Sequence, residues 1–148
     1  MYSEDDYDTF SERMEKTYPK MFAEPYGGFA VGAGWWPILE SLCRNIQSHI
    51  DWRQEQKEKY NRGEGCSQIV VRQIKEKFGG LRFYYDGGDD MIDGMVRMAE
   101  SWAGHSCEKC GKPGKSRSGG WIRTLCDEHE AERQAAQEKY AKENGLEL

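Results

Sequence analysis

The apolar positions of the chain fall first at helical spacing. Phe10, Met14, Tyr18 and Met21 or Phe22 recur every three or four residues between Ser3 and about Lys20, which predicts a short amphipathic helix ended by Pro19. Its acidic residues, Glu4, Asp5, Asp6, Asp8, Glu12 and Glu15, gather in the first half, where the helix dipole favours them. The pattern then breaks. Residues 24–37, EPYGGFAVGAGWWP, hold too much glycine and proline for a regular helix and read as a loop pinned by its aromatic residues. Helical spacing resumes with Trp35, Leu39, Leu42, Ile46 and His49 or Ile50, widened by Ile38 and Cys43. Pro37 suits the first turn, and Asn61 with Gly63 stops the run near Tyr60, giving a helix of about 35 Å whose RQEQKEKY end is polar all round.

The next segment changes period. Ile69, Val70, Val71 and Ile74 are β-branched, Phe83, Tyr84 and Tyr85 favour strands, and FGG divides the two runs, so a β-hairpin turning at residues 77–80 is expected. A helix through Val70, Ile74 and Phe78 is the competing solution. Asp89 or Asp90, in GGDD, then caps a helix ended by Gly104. That helix carries Met91, Ile92, Met95, Met98, Ala99 and Trp102 on one side, expected to face the core with Trp102 near Leu42 and Ile46, although methionine-rich faces also bind partners. GGDD could also act as a metal-binding carboxylate pair, a weaker reading than the cap.

The last third brings chemistry. Cys107 and Cys110 form a C-x-x-C-G turn, and Cys126 and His129 form a C-x-x-H pair at the start of a helical run, DEHEAERQAAQEKYAK. Two such pairs aimed at one point make a closed tetrahedral set that suits a structural Zn²⁺. Between them lies a glycine-rich stretch with WIRTL as a strand. The order of knuckle, hairpin and helix resembles the treble-clef family of zinc folds. Four protein ligands leave no position for a reacting water, and the H-x-E element of zinc deaminases is absent from His105-Ser106-Cys107.

Charge refines this picture. The chain of 148 residues is 37% hydrophobic and 32% charged with a formal net charge of −5, which argues against polyanion binding over its whole surface. The hairpin is the exception. Lys109, Lys112, Lys115, Arg117 and Arg123 stand there against Glu108 alone, with Trp121 available to stack on a base. A solvated loop balanced by Glu128, Glu130 and Glu132 is the plainer alternative. No apolar run is long enough for a membrane span, and the acidic start lacks the order of a signal peptide. A reducing cytosol is expected, where cysteines are metal ligands or buried thiols. Cys43 falls on the apolar helix face, Cys66 in GEGCSQ could be a free thiol, and His49 reads as a core or boundary histidine.

YPKMF, GGFAVGAGWWPILESLCRNIQSHIDW, QIKEKFGGLRFYY and CEKCGKPG…GGWIRTLCDEH stand in this order. Together they resemble a family of small uncharacterised proteins encoded by bacteriophages and prophages, from Tyr18 to His129. The resemblance implies a phage protein in a bacterial host and supplies no mechanism. The expected architecture is α+β. Residues 1–104 form a core with a helical N-terminal half and a β-hairpin, and residues 105–148 form a treble-clef-like zinc module packed on it. The expected function is that of a non-enzymatic protein binding a host or defence protein as inhibitor, adaptor or regulator. The alternative is a nucleic-acid-binding module that uses Lys112, Lys115, Arg117, Trp121 and Arg123. An enzyme site lined by Tyr26, Trp35, Arg82 and Tyr84 is the third possibility.

Overall fold

The computed structural model describes residues 6–147 and is α+β. Helix α1 spans Tyr7–Thr17, strand β1 Phe29–Ala30 and helix α2 Trp36–Tyr60. Strands β2 (Val70–Lys77) and β3 (Gly80–Asp86) form the hairpin, followed by α3 (Asp90–Ala103), the short strands β4 (Lys115–Arg117) and β5 (Arg123–Leu125), and α4 (Asp127–Glu143). The first helix thus ends before Pro19. Its expected beginning at Ser3, with Glu4 and Asp5, lies outside the described residues.

The core is built around α2. Leu39, Cys43 and Ile46 are fully buried, Leu42 and Ile50 nearly so, and Trp36 stacks flat on Phe10 of α1 with ring centroids 4.6 Å apart. Pro37 sits in the first turn, where its missing N–H leaves no bond unmade. Asn61 ends the helix in the left-handed conformation, its N–H reaching the Lys57 carbonyl. Cys43 lies wholly inside, and burial pushes its thiol up to about 12.

The hairpin prevails over the helical alternative for residues 69–85. The Phe78-Gly79 pair makes the turn, with both residues at positive φ. Of Val70, Ile74 and Phe78, which the helical alternative placed on one face, Ile74 alone is buried. The pairing register slips between Val71 and Gln73, so one extra residue lets both Val71 and Ile74 face the core. The loop 24–37 also supplies structure: Phe29 and Ala30 pair in parallel with Ile74 and Lys75, completing a sheet of order β1-β2-β3.

Helix α3 is rotated from the expected orientation. Ile92, Val96, Ala99 and Ala103 are buried, whereas Met91, Met98 and Trp102 are 59%, 69% and 60% exposed. Two neighbouring stripes run along this helix at the same spacing, and the smaller, branched residues take the tight α2 contact. Trp102 is therefore not a core residue, although it lines a groove with Leu42. Of the residues named for an enzyme site, Trp35 is wholly buried and Tyr26 nearly so, while Tyr84 is half exposed.

Leu42→Ala should cost roughly 2–5 kcal/mol in urea unfolding, the range for a buried large-to-small change. Trp102→Ala should cost less than about 1 kcal/mol, as expected of a largely exposed side chain. Reversed values would place the other stripe in the core.

Candidate metal centre

Cys107, Cys110, Cys126 and His129 converge. One ligand atom from each lies within 4.8 Å of the others. Cys110 Sγ is 3.8 Å from Cys126 Sγ, and His129 Nδ1 is 3.5 Å from Cys107 Sγ and 3.2 Å from Cys126 Sγ. No disulfide joins any of the five cysteines. The knuckle closes through Gly111 N–H to Cys107 O at 2.8 Å, and β4 and β5 form an antiparallel pair in register Lys115–Leu125 to Arg117–Arg123. Cys126 is the N-cap of α4, its sulfur accepting from His129 N–H at 3.4 Å.

The electrostatics suit a bound cation. Burial alone would push the Cys107 thiol up, but backbone N–H groups of Cys126, Cys110 and Lys109 outweigh it and hold that thiol below its usual value. Cys110 is pushed up to about 11 by burial and by the neighbouring sulfurs of Cys107 and Cys126. Three sulfurs this close cannot all ionise unless a positive charge stands among them. The far nitrogen of His129 lies 3.9 Å from a carboxylate oxygen of the exposed Glu132, beyond hydrogen-bond reach.

The loop between α1 and α2 seats this centre. Gly34 N–H donates to Glu108 O at 2.7 Å, Gly32 N–H to Glu108 Oε2 at 2.9 Å, and Trp35 Nε1 to Ser106 O at 2.9 Å. A Cβ on Gly34 would collide with Cys107 O and come within 2.6 Å of Gly111 N. From the other side, Thr124 donates to Gly79 O at 2.6 Å, tying β5 to the turn of the β2–β3 hairpin. Sequence reasoning missed Gly32, Gly34, Glu108 and Thr124. Glycine at 32 and 34 reads as loop flexibility when the knuckle that presses against it is not known.

The basic residues are less free than their spacing suggests. Arg117 pairs with Asp127 at 2.7 Å, Arg123 with the buried Glu108 at 3.6 Å, and Lys112 with Glu128 at 3.8 Å. Lys109 and Lys115 are exposed. Trp121 is 72% exposed and shares a cleft of about 400 Å³ with Phe78, Lys77 and Ile122. Glu130 is buried beside Arg133 and Gln134, and Arg133 in turn donates to the Trp121 and Ser118 carbonyls, so the pair ties α4 to the hairpin. Comparison with protein-family models, curated proteins and solved structures returns no match. What fold and site define is an α+β protein whose C-terminal Cys₃His cluster can hold a metal ion.

Two glycine variants test the seating. Gly34→Ala should lower stability by about 3 kcal/mol or more and weaken metal retention, because its methyl meets backbone on the knuckle. Gly94→Ala, in the exposed middle of α3 with nothing within 4 Å of the new carbon, should raise stability by roughly 0.5–1 kcal/mol. Thermal unfolding with parallel metal analysis reads both.

Proposed function

We propose that this is a non-enzymatic, zinc-stabilised protein-binding module with a treble-clef-like C-terminal unit. The donor distances support the choice of ion. A tetrahedron with Zn–S near 2.3 Å and Zn–N near 2.1 Å has S···S edges of about 3.8 Å and S···N edges of about 3.6 Å. Three of the six edges of the cluster are 3.8, 3.5 and 3.2 Å, and all six lie within 4.8 Å. Four protein ligands saturate such an ion, so it holds the knuckle, the hairpin and α4 together and has no position for a reacting water.

The observation that carries the binding reading is the groove between α2 and α3. It encloses about 640 Å³ and is lined chiefly by Pro37, Ile38, Leu42, Met95, Met98 and Trp102, with Ser41 and Asn45 as its polar members. Gly94 leaves its wall open. An apolar groove between two helices suits a third helix. The occupant is an amphipathic helix of a partner protein with apolar anchors three or four residues apart. Adaptable methionines and a Trp at the lip suit such a partner. The phage resemblance sets this in a bacterial cytosol, with a host or defence protein as the partner. No described helix is long and apolar enough to cross a membrane.

A second reading has one observation in its favour. Phe78 is 72% exposed and holds φ +53°, a conformation bulky residues rarely adopt, beside the equally exposed Trp121. Lys77 lies 5.7 Å over the Phe78 ring. Two aromatic faces with cations nearby suit stacking on single-stranded nucleic acid. The ion pairs of Arg117, Arg123 and Lys112 count against it.

Metal analysis of desalted protein should give one tightly held zinc per chain, lost in Cys126→Ser together with cooperative unfolding of the C-terminal unit. A photo-crosslinker at position 98 should capture a partner in infected host cells, and Trp102→Ala should abolish capture without changing zinc content or melting. Equal capture from position 52, on the exposed end of α2, would remove the groove from consideration. Tight RNA or DNA binding that weakens steeply with salt, and is lost in a Phe78→Ala, Trp121→Ala double variant, would put the second reading first.

A further inference from the structure

We propose a second metal site, built from His49, Cys66 and Asp89, that takes a borderline divalent ion of the Zn²⁺ or Co²⁺ kind and leaves one coordination position open. The three residues come from separate parts of the chain. His49 lies on α2, Cys66 on the segment before β2, and Asp89 at the N-cap of α3. One ligand atom from each lies within 4.8 Å of the other two. His49 Nε2 is 2.7 Å from Asp89 Oδ2, while Asp89 Oδ1 accepts the Ile92 N–H at 3.1 Å. The cap and the ligand role therefore use different oxygens of one carboxylate.

The donor set points to a transition ion and away from Ca²⁺ or Mg²⁺, which take oxygen ligands alone. An imidazole, a thiol and a carboxylate are three of the donors that catalytic and exchangeable zinc sites combine, with a fourth position left to water or another ligand. Burial, and then the Asp89 carboxylate, push the Cys66 thiol up. An entering ion replaces the thiol proton, which leaves to solvent, and forms the metal–sulfur bond in its place. The His49–Asp89 hydrogen bond must open by roughly 0.6 Å to reach bond lengths near 2.1 Å.

Access and charge fit the assignment. Cys66, alone of the three, lines a cleft of about 450 Å³ together with Asp51, Glu55 and Glu58 against Lys20 and Lys59, and the Asp89 side chain is 26% exposed. The opposing charge at the site is Arg53, 3.6 Å from Asp89 Oδ2, with a side chain one-third exposed and able to swing outward. One thiolate and three protein ligands hold an ion less tightly than the three thiolates and histidine of the other centre. The ion here should exchange while that one stays. Bound, it pins α2, the 61–69 segment and the start of α3 to one another.

Protein with its tight zinc in place is titrated with Co²⁺ and followed by visible and near-ultraviolet absorption. The expected result is a saturable signal of one further equivalent, with ligand-field bands and charge transfer from a single thiolate. It should vanish in Cys66→Ser and in His49→Gln and persist in Cys43→Ala. Circular dichroism shows which variants fold, and Asp89→Asn, which keeps the cap acceptor, serves if either ligand variant does not. Weakening of Co²⁺ binding at least tenfold in Asp89→Asn supports the site. Absence of a saturable signal, or one that survives loss of Cys66 and His49, overturns it.

Discussion

Everything in the C-terminal third rests on the close approach of two backbones, the Gly32–Trp35 turn and the Cys107–Gly111 knuckle. Two N–H groups of the turn donate to Glu108, and Trp35 reaches the Ser106 carbonyl from a fully buried position. These bonds are made in a space too narrow for a Cβ on Gly34. A buried, bonded carboxylate at Glu108 would be costly alone, but the Gly32 N–H and the Arg123 guanidinium both face it. The four candidate ligands are thus anchored by the rest of the fold. That is why a module with just Cys107, Leu125 and Cys126 as its buried apolar cluster can keep its geometry.

The same turn continues directly into α2, whose first residue, Trp36, stacks on Phe10. One short segment therefore joins the knuckle, the aromatic core and the longest helix. The segment that seats the knuckle leads directly into Pro37 and Ile38, which line the α2–α3 groove. The metal centre and the groove are separate in chemistry and connected through this segment.

Much of this was legible in the sequence because it depends on local rules. Proline near the start of α2, Asn61 at its end, Asp89 as a cap and the paired C-x-x-C and C-x-x-H all act within a few residues. The four ligands converge as their spacing requires. What the sequence hid depends on distant partners. The stripe of Met91, Met98 and Trp102 has the same period as Ile92, Val96, Ala99 and Ala103, and only the tightness of the α2 contact decides which is buried. Strand β1 exists because Ile74 lies beside Phe29. The cations of the hairpin meet Asp127, Glu108 and Glu128, and of these Glu128 is one of the acids that the plainer reading of the sequence set against them.

His49 shows the limit most sharply. On α2 alone it is a boundary histidine beside Ile50. Its partner Asp89 lies 40 residues further on and is fully accounted for, in sequence terms, as the cap of α3. Cys66 in a glycine-rich segment carries no motif. Each residue has a sufficient local explanation, so no pattern summons the three together, whereas the Cys₃His set announces itself by leaving its local residues unexplained. A cap can serve twice because a carboxylate has two oxygens, one turned to the helix and one turned away. Where the second oxygen meets an imidazole and a thiol, the same aspartate that starts α3 can also hold it to α2.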